Sequence, residues 1–525
     1  MNVAARIDLG VRARARSRVG ALPAAVPTAA FLVALVAVSA FVRTRVLDGA
    51  FWIDEGLSVG IAAHPVSDLP ALLRLDGSPP LYYALLHFWI DAFGSSETAT
   101  HGLSLLFALL AVPAAFWAAT ASFGRRAGWI GAALAAFIPF LTVYAQETRM
   151  YSLVALLSIL ATGTFLQAFV GGRRRYVPAL AFLLALLLFT HNWALFFGGG
   201  LAAAIAFTAL RPSSRRRRIV DAAFVFGTAG LAFVPWLPAL LDQVAHTGAP
   251  WSQAPGAGAI LDAPAAVFSG DGSAMTLLLA GGSGLVAIFR GARTPERTAV
   301  GATIVLGSAT LLLAWVGSQI SPAWANRYLA VLIGPMLLLA AVGLARAGRL
   351  GVVGFVLILV FWGTYRASDN KSNVDEVAAQ VAAQVRPGDL VVSTHPEQVP
   401  VLAYYLPSGL SYATALGPVR DPLVMDWRDA VSRLEAAAPK ETAERIVDRL
   451  AVGRRLLLVQ PILRFPQLTL ERGWEAPWTR LVRRRSLAWG EVLRRDRRLV
   501  RIAMTKPTEE TFKGLRGTLY RKIRA

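Results

Sequence analysis

The chain reads as a polytopic α-helical membrane protein of about 11 transmembrane helices, with a soluble α/β domain at its C-terminus. Three observations predict this: an apolar composition, a series of runs of spanning length, and a change of pattern near residue 367. Hydrophobic residues make up 55% of the 525 positions and the mean hydropathy is +0.52, above what an ordinary soluble domain carries. The formal charge of +21 is read by position, because basic residues on such a chain report first on topology. There is no cysteine, which removes disulfides, thiolate metal sites and cysteine nucleophiles and leaves the redox compartment open.

Residues 1–22 form a basic N-terminus containing Arg6, Arg12, Arg14, Arg16 and Arg18. The apolar run from Pro23 to Val42 could serve as a signal peptide with Ser39-Ala40 near the cleavage point. Its length is near the ~20 residues needed to cross a bilayer and apolar runs continue downstream, so it reads as a span. Further runs cover approximately 102–121, 127–145, 150–170, 176–191, 194–210, 219–240, 274–289, 298–317, 328–345 and 350–366. The stretch from Leu81 to Gly94 falls short of the usual ~17-residue minimum. Its assignment follows from the arginines. If it does not span, the clusters at Arg125-Arg126, Arg173 to Arg175, Arg211 with Arg215 to Arg218, Arg290-Arg293-Arg297 and Arg346-Arg349 share one side with the basic N-terminus, as the positive-inside rule requires. The expected topology is a cytoplasmic N-terminus, a large first outer loop at 46–100 with a juxtamembrane helix at 81–94, and a membrane domain over 23–366.

From 367 to 525 the pattern alternates. DLVVST and RRLLLVQ read as strands, and VDEVAAQVAAQV and ETAERIVDRLAV as amphipathic helices. After an odd number of spans this α/β domain lies outside the cell membrane. Its Arg-rich stretch LVRRRSLAWGEVLRRDRRLVR reads equally as a solvated face or as a surface resting on anionic headgroups. Nucleic acid is not expected as a partner of an extracytoplasmic domain.

The unusual polar residues gather on the outer side. Asp54 and Glu55 stand in FWIDEGLSVG, Ser78-Pro79-Pro80 precedes LYYALLHFW, and YAQETRMY holds Glu147 and Arg149. His191-Asn192-Trp193 closes the fifth run, APWSQ holds Trp251, and SPAWANRY holds Arg327 and Tyr328. The middles of the spans are essentially without Asp, Glu, Lys or Arg, which an ion-coupled transporter or proton relay would need at the midplane. A site at the outer membrane surface suits chemistry on a lipid-borne substrate whose polar head emerges there.

The order of an apolar span, WIDE, SPPLYYALLHFW, SE, a long span, RR, a long span, YAQETRMY, a long span and TH resembles the GT-C superfamily of integral-membrane glycosyltransferases. The likeness is to the branch with protein O-mannosyltransferases and aminoarabinose transferases. It covers roughly residues 23–200 and continues as topology to about 366. It implies inverting transfer of a sugar from a polyprenyl-phosphate donor to a hydroxyl acceptor on protein, glycan or lipid, at the outer face of the cell membrane, with Asp54 as general base. Two positions depart from the family pattern: Ser78 stands where many members have His before Pro-Pro, and His101 where an Arg follows the SE segment. The first weakens the case for a metal or a histidine-assisted base in that loop, and the second removes an expected basic residue.

The residues are compatible with this role. Retaining glycosidases need two carboxylates ~5 Å apart across one anomeric carbon, whereas adjacent side chains diverge by about 100° on a helix. One carboxylate, Asp54, is expected to face the acceptor while Glu55 holds the loop, and a single base suffices for inverting displacement. The alternative role for Asp54 is N-cap of a helix starting near Gly56. Arg149 and Arg327, with Tyr328, are candidates for the donor phosphate because arginine offers a planar fork of donors; either arginine could instead snorkel from a span end. Glu147, two residues from Arg149, does not face it on a helix and could contact sugar hydroxyls or a cation. His191, Ser78 and Trp251 are possible substrate contacts, His191 with Trp193 reading more readily as an aromatic-belt anchor. No cluster has metal-ligand spacing, so no metal cofactor is expected. A non-catalytic scaffold or lipid-handling protein of envelope assembly is the competing class.

Overall fold

The computed structural model describes residues 25–210, 215–292, 294–365, 371–462, 476–506 and 514–525. The basic segment 1–22, Arg211 and Arg293 lie outside the described residues. Among the described residues six helices are long and apolar enough to cross a membrane, or seven if the bent pair Arg125–Phe137 and Pro139–Ala145 is one span. That is fewer than the eleven expected from sequence. The other expected spans fall on shorter helices, among them Ala25–Arg43, Val177–Thr190, Ala194–Ala209 and Gly348–Thr364. Breaks have local causes. Pro139 lacks the N–H that would continue its helix, and the chain bends by 46° there.

Five helices lead to the site: α1 (Ala25–Arg43), α2 (Ile53–Ala62), α3 (Leu69–Asp76), α4 (Leu81–Phe93) and α5 (Glu97–Phe123). Helix α4, at 13 residues, rises only about 20 Å against a hydrocarbon core of about 30 Å. Helix α5 starts where the Ser96 hydroxyl accepts from the Ala99 N–H at 3.3 Å, with Glu97 in its first turn. Helix α1 is pinned by Arg43, fully buried, which donates to the carbonyls of Ala108 at 3.0 Å and Ala135 at 2.7 Å.

The C-terminal region holds a six-stranded mixed sheet: β1 (Leu390–Ser393), β2 (Ser411–Thr414), β3 (Gly417–Val419), β4 (Arg455–Pro461), β5 (Leu499–Met504) and β6 (Leu515–Lys522) in the order β3-β2-β1-β4-β6-β5. Only the central strand β1 pairs in parallel, with β2 and β4. Strands β1 and β4 are buried on both faces, as their unbroken apolar runs require. One face carries Val374–Val381 and Val399–Tyr405; the other carries Pro439–Arg449 and the amphipathic Pro477–Arg495. In Pro477–Arg495 the buried side is Trp478, Leu481, Val482, Trp489 and Leu493, while Arg480, Arg484, Arg494 and Arg495 are exposed.

Both cores of this region also contain residues from the first loop. Trp52, Ile53 and Leu57 join one, Phe51 and Val59 the other. Helix α2 comes this close because Gly56 and Gly60 share a face one turn apart. A Cβ at Gly56 would lie 2.5 Å from Val401 Cβ, and one at Gly60 would lie 2.2 Å from the Leu423 carbonyl oxygen. On its other side α2 is held by its cap. The N-cap is Trp52, which has no acceptor side chain; instead Glu55 Oε2 accepts the Trp52 N–H at 3.3 Å, half of a capping box. This corrects the alternative of Asp54 as N-cap: Asp54 lies inside the first turn.

Gly56→Ala should therefore force α2 off Val399–Tyr405 and cost about 1–3 kcal/mol of stability. Gly227→Ala is the control, since a Cβ there meets nothing within 4 Å. Thermal unfolding in one detergent and protease cleavage of the C-terminal region check this; equal behaviour of the two variants would remove the close-approach argument.

Candidate active site

Because α2 is helical, its adjacent carboxylates diverge into different surroundings. Glu55 turns inward and is 2% exposed. Its Oε1 accepts from the Thr148 N–H at 2.8 Å and lies 2.6 Å from His101 Nε2, while His101 Nδ1 lies 2.7 Å from the Leu47 carbonyl. Both ring nitrogens of His101 face acceptors, the pattern of an imidazolium. His101 thus supplies a cationic partner to Glu55, and Glu55 in turn ties α2 to the Thr148 backbone.

Asp54 faces a cavity of about 330 Å³ between the helical body and the C-terminal region. Its Oδ2 lies 3.4 Å from Arg327 Nη2. Arg327 rests against the rings of Trp52 at 5.9 Å and Tyr328 at 5.4 Å. Arg149, also on the cavity wall, donates from Nη1 to the Asp54 carbonyl at 3.2 Å and to Ser58 Oγ at 3.0 Å. The Nε groups of both arginines are buried and make no hydrogen bond among the described residues. Two guanidinium forks with donors to spare therefore flank one carboxylate. Both arginines line the interior of the site, which corrects the snorkelling alternative.

Behind Arg149, the Tyr83 hydroxyl donates to Asp76 Oδ2 at 3.2 Å. Burial pushes the Asp76 carboxyl above the usual range against the pull of Arg149.

His191 is on the wall, not in an exposed belt, which corrects the anchor reading. It is packed between Tyr151 at 6.0 Å and Tyr328 at 4.8 Å. Its Nδ1 accepts the Trp193 N–H at 3.1 Å, so a neutral ring carries its proton on Nε2. Ser78, Tyr328 and Trp251 line the same cavity. Glu147 does not. It is 3% exposed and paired with Lys371, whose ammonium burial pushes below its usual range. Its expected contact with a sugar or cation is thus replaced by an ion pair that ties the segment after the last apolar helix to the YAQETRMY loop. Among the described residues no group of three His, Cys, Asp or Glu side chains is gathered to hold a metal.

Sequence reasoning missed Asp76, Trp52 and the whole contribution of the C-terminal region, namely Glu397, Trp427 and Thr479. Asp76 stands two residues before Ser78 and was within reach of motif reading. Glu397 and Trp427 come from segments with no local signal of chemistry.

No family model matches this sequence, and no curated protein does. Solved structures do. The chain is similar to ArnT from Cupriavidus metallidurans bound to undecaprenyl phosphate, with a TM-score of 0.59 and 14% identity over 95% of this chain and 98% of that one. The apo state of the same protein gives 0.55 and 15% identity over 83% and 93%. The oligosaccharyltransferase AglB from Archaeoglobus fulgidus, in complex with an inhibitory peptide and a dolichol-phosphate, gives 0.49 and 11% over 82% and 69%. At these identities the likeness is one of fold: a multi-pass helical membrane protein with a C-terminal α/β region, built as ArnT is built.

Proposed function

We propose that the chain is an inverting glycosyltransferase that moves a sugar from a polyprenyl-phosphate donor to a hydroxyl acceptor at the outer face of the cell membrane. The observation that carries this reading is the meeting of the Asp54 carboxylate with the Arg149 and Arg327 guanidinium groups in one cavity beside the apolar helices. In the reaction the acceptor oxygen attacks the anomeric carbon and its proton passes to Asp54. The bond from that carbon to the phosphate oxygen breaks, and the electron pair leaves with the polyprenyl phosphate. Arg149 and Arg327 stabilise the charge that gathers on this leaving group. Arg327 touches both partners of the step: it orients the base and faces the phosphate. Undecaprenyl phosphate bound to the ArnT of similar fold supports the lipid class of the donor. The topology that fits is eleven crossings, residues 1–22 in the cytoplasm and residues 367–525 outside.

Asp54→Asn should lower transfer by roughly 10²- to 10⁴-fold, the loss typical of general acid–base catalysis, with donor binding retained. Because Asp54 is not the cap of α2, the melting temperature should hold; turnover close to wild type would sink the assignment. Arg149→Lys and Arg327→Lys keep the charge and lose the fork, so each should weaken donor binding. Unchanged affinity in both would return them to a structural role. For topology, reporters fused after Gly94 and after Ala525 should both read extracytoplasmic, and a cytoplasmic signal at either position would overturn the arrangement.

A further inference from the structure

The wall that the C-terminal region gives the cavity has a chemistry unlike that of the arginine end. Glu397 is 5% exposed and lines the cavity. Its Oε1 accepts the Trp478 indole N–H at 2.9 Å and lies 2.7 Å from His395 Nε2. Its Oε2 is buried and has no hydrogen-bond partner among the described residues. Burial works to raise the Glu397 carboxyl, yet the facing His395 and the Trp478 N–H outweigh it and hold the group below the usual carboxylate range. An ionised carboxylate can only accept.

Two further donors belong to residues that line the same cavity from outside the C-terminal region. The indole N–H groups of Trp52 and Trp251 are also buried and unpartnered among the described residues, and both residues line the cavity. The wall is rigid: Trp251 packs on Trp427 with centroids 4.6 Å apart, Trp427 on Trp478 at 5.2 Å, and Trp478 holds Glu397. A buried polar group without a partner is costly. Three such groups around one cavity are complementary to a ligand with hydroxyl donors, oxygen acceptors and an apolar C–H face. That combination is a sugar ring.

We infer that Glu397, Trp251 and Trp52 form the glycosyl-binding subsite of this cavity, with Glu397 Oε2 accepting from a sugar hydroxyl and the two indoles donating to sugar oxygens. The inference rests on the polyprenyl-phosphate reading above and gives it a direction. The phosphate lies toward Arg149 and Arg327 and the ring toward Glu397 and Trp251, with Trp52, which rests on Arg327, where the two meet.

The test is a binding titration on the full chain in lipid nanodiscs, with wild type, Glu397→Gln and Trp251→Phe. The probes are undecaprenyl phosphate, undecaprenyl-phosphate-linked hexose and pentose, and methyl glycosides of the same sugars added to protein already loaded with undecaprenyl phosphate. Each variant should weaken a sugar-bearing probe by about tenfold, equivalent to about 1.4 kcal/mol, and leave undecaprenyl phosphate within about twofold. A loss on the lipid-linked sugar assigns the ring to the donor, and a loss on the methyl glycoside assigns it to the acceptor; either supports the subsite. Trp251→Phe keeps the ring and most of the packing, so it still reports if Glu397→Gln unfolds. Sugar-bearing probes bound equally by all three proteins, or an equal loss for undecaprenyl phosphate, would overturn the subsite and leave the glycosyltransferase reading standing. Failure of the wild type to bind undecaprenyl phosphate would overturn that reading together with the subsite.

Discussion

The site depends on one close approach, that of helix α2 to the C-terminal region at Gly56 and Gly60. Two positions without side chains let the backbone of α2 touch Val401 and Leu423, and the apolar residues between them divide over both faces of the central sheet. On the opposite side, Glu55 fastens α2 to the helical body through His101 and the Thr148 N–H. Clamped between two rigid bodies, α2 presents Asp54 with little freedom to move. The adjacent acidic pair therefore has divided roles in the fold: Glu55 fixes the helix, and Asp54 is what the fixed helix displays.

That clamp also explains how charges of both signs stand together under cover. A lone buried carboxylate or guanidinium is costly, so buried charges come with partners. Here Asp54 lies beside Arg327, and Arg149 is held by the Asp54 carbonyl and Ser58 while the Tyr83 hydroxyl links it to Asp76. The partners satisfy only part of each arginine, and their Nε groups make no hydrogen bond among the described residues. Additional ties keep the C-terminal region seated above them. Tyr405 reaches Glu97 at 2.7 Å and the Phe51 N–H at 2.8 Å, the Trp427 N–H reaches the Leu75 carbonyl at 3.0 Å, and Lys371 reaches Glu147.

Much of this was legible in the sequence, because membrane spans and motif-borne polar residues are local signals. The apolar runs, the strands at DLVVST and RRLLLVQ, and the gathering of Asp54, Arg149, His191, Trp251, Arg327 and Tyr328 come from stretches that can be read by themselves. What escaped reading is made by distance. Glu397 and Trp427 stand more than three hundred residues from Asp54 in the chain, and only the docking of α2 brings them to it. The role of Glu147 stayed open in the sequence because its partner Lys371 stands more than two hundred residues away. Fewer helices reach full spanning length among the described residues than there are apolar runs in the sequence, because run length does not report breaks such as Pro139. Strands β5, at the sheet edge, and β6, beside it, were hidden by Arg501, Arg516 and Arg521, whose side chains are exposed.

Residues Phe51 to Val59 belong to the first loop by position and to the α/β cores by packing. The seam between membrane body and tail consequently does not run through the linker near residue 367. A chimera that exchanged only the tail with that of a structural relative would leave Phe51, Trp52 and Ile53 facing a foreign core and would move Asp54 with them. A transplantable unit is discontinuous: it carries residues 51–60 together with the tail, and inheritance of the cavity lining by recombination would need both pieces to travel.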